Sequence, residues 1–139
     1  MTAGDNVSAN AKLALMFVGT SMLYLMAGVV LIAVALLQLV PLDRDAVFVM
    51  ELYGFVAMMI FGLTYIFIPG LSHSAFADNK KVKAEFALLN VGIIALTTAM
   101  SGLVAIGISR LIVIPGLIAL GAAVALHSYN LFRMIKGKK

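Results

Sequence analysis

Residues 13–40, LALMFVGTSMLYLMAGVVLIAVALLQLV, contain no Asp, Glu, Lys, Arg or His. The run is longer than the roughly 20 apolar residues that cross a hydrocarbon layer about 30 Å thick. The same absence of charge returns over 86–109 and, apart from His127, over 111–132. Three such reaches in one short chain make lipid the solvent. The composition agrees: of 139 residues 63% are hydrophobic and only 12% charged, against the usual quarter for soluble domains. The mean hydropathy is +1.12.

Charges and helix breakers divide the chain into four expected spans. The first covers 13–40 and is stopped by Pro41 and the Asp43-Arg44-Asp45 cluster; it is long enough that it must tilt or protrude. The second covers 47–69 and closes at Pro69-Gly70. The third covers 86–108, following a polar stretch from His73 to Glu85. The fourth begins after Ser109-Arg110, tolerates Pro115 in its first turn and covers 111–132. The expected domain layout is thus a polar segment 1–12, one transmembrane domain 13–132 and a basic tail 133–139. The opening residues lack the basic region of a cleavable leader, so the first span is expected to be retained.

Short connections force neighbouring helices to run antiparallel, which predicts an all-α, up-down-up-down bundle of four transmembrane helices. Both termini and the middle loop then share one side. That side carries Lys12, Lys80, Lys81, Lys83, Arg133, Lys136, Lys138 and Lys139, whereas the other carries only Arg44 and Arg110. Basic residues in short loops mark the cytoplasmic face, so a multi-pass protein of the cell membrane with cytoplasmic termini is expected. The net charge of +4 reads as contact with anionic headgroups rather than with nucleic acid. The absence of cysteine excludes disulfides, thiolate ligands and thiol nucleophiles.

Helices in lipid associate where small residues let backbones approach. Gly54, Gly62, Gly102 and Gly121 are the expected packing positions, with Gly92 and Gly116 beside them. Polar residues inside spans are expensive and mark candidate functional positions. Glu51 is the one acid placed near a membrane-embedded position; it reads either as a proton-handling carboxylate or outward metal ligand, or as an interfacial ion pair with Arg44 or Arg110, and the ion pair is preferred. His73 and His127 fall at a similar level near the cytoplasmic end. They would suffice for one haem b held by an imidazole on each face, though lone histidines at an interface more often hydrogen-bond backbone or headgroups. A tetrahedral metal site wants three or four ligands and none is expected. On the third span Asn90, Thr97 and Ser101 share a stripe that supplies interhelical hydrogen bonds rather than an ion path.

Glu51-Leu52-Tyr53-Gly54-Phe55-Val56, followed by Ile60-Phe61-Gly62, Tyr65 and Pro69, resembles the second transmembrane segment of the catalytic subunits of haem-copper oxidases and nitric oxide reductases and of their short four-span relatives. Tyr129-Asn130-Leu131-Phe132-Arg133 is similar to the Asn-Leu-aromatic-Arg ending of such spans. In that family the segment opens with a haem-ligating His; here Glu51 stands in its place, and the other spans offer no His pair for copper. The resemblance therefore implies a shared helical scaffold without the redox centre. The expected role is that of a noncatalytic accessory subunit, packed against other integral-membrane subunits of a larger oxidoreductase such as a terminal oxidase or a copper membrane monooxygenase. It would not be an enzyme by itself and would hold no cofactor. The alternatives are a haem b electron carrier using His73 and His127, and a small transporter or channel.

Overall fold

The computed structural model describes residues 3–39, 42–72 and 78–136, and every element among them is helical. His73, Pro41 and residues 137–139 lie outside the described residues, so the expectations placed on them have no structural counterpart here. Four helices are long and apolar enough to cross a membrane. Helix α1 is Ala3–Leu36. Helix α2 joins Arg44–Val49, a π-helical stretch Met50–Ala57 and Met58–Ser72, with right-handed helical backbone at both junctions. Helix α3 is Asn79–Met100 and α4 is Ile106–Lys136. The shortest candidate span has 22 residues, which at 1.5 Å per residue reaches about 33 Å.

The bundle is built from two hairpins, α1 with α2 and α3 with α4, and α3 touches all three other helices. Matched contacts show the antiparallel runs. Along α1 and α2, Gly28 meets Glu51, Tyr24 meets Gly54 and Phe17 meets Gly62; along α3 and α4, Gly92 meets Leu120 and Leu96 meets Gly116. The core holds Phe17, Met58, Tyr65, Val82, Leu89, Ile93 and Leu96. Leu23, Val30, Ile94, Leu111, Ile118 and Phe132 lie on the outer surface, as lipid-facing side chains do.

Several ends differ from the sequence expectation, each for a local reason. The break between α3 and α4 falls at residues 101–105, not at Ser109-Arg110. Gly102 takes φ 74°, the left-handed conformation that stops a helix, while Ser101 Oγ donates to Thr98 O (2.7 Å) and accepts from Leu103 N–H (3.2 Å). Ser109 instead continues α4, its N–H bonded to Ala105 O at 3.0 Å; a serine and a charged residue are no barrier to a helix that has already begun. Pro69 lies inside α2, three residues before its end, and does not close the span. Helix α2 starts at Arg44 rather than near Val47, since Asp43 caps it by accepting from Asp45 N–H. Helix α3 begins seven residues before the expected Phe86, capped by Asp78, which accepts from Lys80 N–H at 3.0 Å. Helix α1 closes in a Schellman turn, with Leu39 N–H on Val34 O, Gln38 N–H on Ala35 O and Gln38 at φ 52°.

The expected packing glycines divide sharply. Gly54 and Gly62 lie where α1 and α2 approach: a Cβ on Gly62 would stand 2.9 Å from Phe17 Cβ and 3.0 Å from Ala14 O. Gly102 belongs to the turn rather than to a seam. Gly121 is exposed, with nothing within 4 Å of where its Cβ would be. We therefore expect Gly62→Ala to lower thermal stability in detergent by about 1–3 kcal/mol through overpacking. Gly121→Ala should leave it unchanged or raise it by up to about 1 kcal/mol through helix propensity; equal losses at both positions would contradict this packing.

Candidate functional site

The most polar place in the described interior is a cluster joining α2, α3 and α4. Glu85 is wholly buried on α3, and Tyr65, His127 and Asn130 are each less than a tenth exposed. Glu85 sits six residues into its helix, about 9 Å from the end at 1.5 Å per residue. His127 and Asn130 are three residues apart and so project from one face of α4. Thr64 and Tyr65 are brought in by α2. Val82 and Leu89, roughly one turn either side of Glu85, are buried, as are Ala123 and Met134, one turn beyond His127 and Asn130 respectively. Apolar side chains thus close the cluster along both helices.

Each polar group in the cluster finds a partner. His127 Nδ1 lies 2.9 Å from Glu85 Oε1 and His127 Nε2 lies 3.2 Å from Thr64 Oγ1. The Tyr65 hydroxyl donates a short hydrogen bond to Glu85 Oε2. Asn130 Nδ2 donates to the same oxygen and to the Tyr65 hydroxyl, each at 3.1 Å. The imidazole stacks on Phe61, with parallel rings and centroids 3.8 Å apart, and meets the Tyr65 ring edge-on.

Thr64 Oγ1 donates to Phe61 O at 2.8 Å and faces His127 Nε2 with a lone pair. The Nδ1–Oε1 contact joins an imidazole to a carboxyl group, and such groups are tolerated in a low-dielectric interior when they are paired and hydrogen-bonded.

This corrects the sequence reading of the acids. Glu51 is not the only acid inside the bundle; Glu85, expected in the loop before α3, is the deeply buried one. The overlooked signal was periodic: Val82, Glu85, Leu89, Gly92 and Leu96 form one stripe at helical spacing, all buried. Glu51 lies in the π-helical part of α2, its carboxyl pressed against Gly28 and its Oε1 without a hydrogen-bond partner. Among the described residues no ion pair joins it to Arg44 or Arg110, and His127–Glu85 is the pair that forms. Arg110 is exposed in the first turns of α4. His127 reaches a carboxylate rather than backbone or headgroups. On the third-span stripe, Asn90 accepts from the Tyr24 hydroxyl at 2.9 Å and donates to Phe86 O, Ser101 bonds its own helix, and Thr97 Oγ1 has no partner. No group of three or more metal-binding side chains occurs among the described residues.

No protein-family model, curated protein or solved structure matches the chain.

The cluster makes a quantitative prediction. His127→Ala strips Glu85 of its partner and should destabilise the protein by roughly 3–5 kcal/mol, the cost of breaking a buried pair. Glu85→Gln should cost no more than about 1 kcal/mol, since an amide accepts from Tyr65 and Asn130 and donates to His127 Nδ1. Thermal unfolding of both variants in one detergent checks the order; equal losses would mean the cluster is not bonded this way.

Proposed function

We propose that the chain is a noncatalytic integral-membrane subunit of a larger membrane oxidoreductase complex, with both termini in the cytoplasm. The observation that carries this reading is that the buried ionisable cluster is saturated by its own chain. Both nitrogens of His127 and both oxygens of Glu85 are engaged by Thr64, Tyr65, Asn130 and each other. A catalytic acid or base needs a free face turned towards substrate; this cluster turns its faces inward and acts as a clasp across three helices. The choice of an oxidoreductase complex rests on the likeness of the second span to haem-copper oxidase and nitric oxide reductase subunits. The topology rests on the excess of Lys and Arg at the end that holds Lys80, Lys81, Lys83, Arg133 and Lys136. The outer apolar faces of α1 and α4 supply the surface for neighbouring subunits.

The competing haem b reading asks His127 to give an imidazole nitrogen to iron. Both nitrogens already have side-chain partners, so ligation would first have to open the clasp. At Glu51, where the resembling family carries its haem ligand, the carboxyl fills the space beside Gly28, and the residues present do not form a haem seat. A transporter reading finds no support in a cluster closed on itself.

The test is purification from native membranes in mild detergent with mass spectrometry of the companions. Other integral-membrane subunits should copurify, and Glu85→Gln should leave both the assembly and its turnover intact, because it keeps the clasp while removing the titratable group. A monomeric chain with a Soret band that disappears in His127→Ala would overturn the proposal in favour of an electron carrier. Loss of turnover in an intact Glu85→Gln assembly would overturn it in favour of proton handling.

A further inference from the structure

At the end of the bundle away from the clasp, α1 and α2 diverge around a cleft of about 640 Å³ lined by Ile32, Leu36, Leu42, Phe48, Arg44 and Glu51, with Ala35 and Val47 completing it. Its walls are apolar except for one guanidinium and one carboxyl. Arg44 and Glu51 are seven residues apart on α2, two turns along one face and about 10 Å along the axis. Among the described residues they do not pair with each other. Glu51 Oε1 is buried with no donor. A buried carboxyl oxygen without a partner is costly, and among the described residues nothing satisfies it: Gly28 beside it has no side chain, and Arg44 remains exposed at the helix start.

We propose that this cleft is a binding site for a phospholipid with a primary amine in its headgroup, of the phosphatidylethanolamine type. The charge order decides the class. Arg44, at the outer lip, takes the phosphate; the ammonium, two methylenes away, turns inward and donates to Glu51; an acyl chain lies along Ile32, Leu36 and Phe48. A lipid with only an anionic headgroup would satisfy Arg44 but bring no donor to Glu51. A choline headgroup supplies the positive charge but has no N–H to donate. The amine is the one common headgroup that completes both residues. A second cleft, of about 550 Å³, is lined by Asp43 and Arg110 near the α3–α4 turn; both of these side chains are exposed, so it lacks the buried unpaired oxygen and serves as an internal control.

The experiment is native mass spectrometry of the full chain released from bilayers containing equal amounts of phosphatidylethanolamine, phosphatidylcholine and phosphatidylglycerol. The wild type should retain the ethanolamine lipid about tenfold over the choline lipid, the size of one charge-assisted hydrogen bond. Glu51→Gln, which keeps the shape against Gly28, should abolish that preference while the protein remains folded by circular dichroism. Arg44→Gln should lower retention of all three lipids, and Arg110→Gln should change nothing. Equal retention of the three lipids by the wild type, or an undiminished preference in Glu51→Gln, would overturn the site. Since the readout needs no partner subunit and no turnover, it stands or falls separately from the subunit reading.

Discussion

The buried contact between Glu85 and His127 is the constraint around which the rest of the bundle is arranged. A carboxyl group and an imidazole are expensive to bury in hydrocarbon, and their interaction offsets that cost only when the remaining lone pairs and hydrogens are also satisfied. Tyr65 and Asn130 complete the carboxyl group and Thr64 completes the imidazole. Because these residues come from three helices, satisfying one pair fixes the relative depth and rotation of α2, α3 and α4 together. Apolar side chains alone specify such register poorly, since a Leu face is equally at home against lipid.

Packing supplies what the clasp does not reach. Helix α1 gives the cluster no hydrogen bond, only the Phe17 ring against Tyr65; it is held by the Tyr24–Asn90 hydrogen bond and by close approach, in which Gly54 admits the Tyr24 ring, Gly62 admits Phe17, and Gly28 admits the Glu51 carboxyl. These contacts gather around the π-helical part of α2. Such widened turns often accompany functional positions, and here the widened turn carries Glu51, whose buried Oε1 is unmatched.

The spans themselves were legible in the sequence because hydrophobic length is a coarse, additive property that one chain carries without help from its fold. Helix ends were less so. Charge marked Ser109-Arg110 as a boundary, yet the backbone stops at Gly102, where a positive φ is required; Arg110 is absorbed into a helix without difficulty. The site was hidden for a related reason. Treating Glu85 as the last residue of a polar loop follows from the rule that acids avoid lipid, and that rule fails where an acid has a partner. The partner is separated from it by 42 positions, a relation no local pattern carries, although the buried stripe through Val82, Glu85 and Leu89 pointed to the correct face. The small-residue signal worked at Gly54 and Gly62, where another helix lies opposite, and misled at Gly121, which faces outward.

That separation also sets a schedule during biosynthesis. Ribosomes add about 5–20 residues each second, so roughly two to eight seconds pass between translation of Glu85 and of His127. The nascent third helix must enter the bilayer with its acid still unmatched by the imidazole. Tyr65, made twenty residues before Glu85, is the donor already in place when that acid arrives.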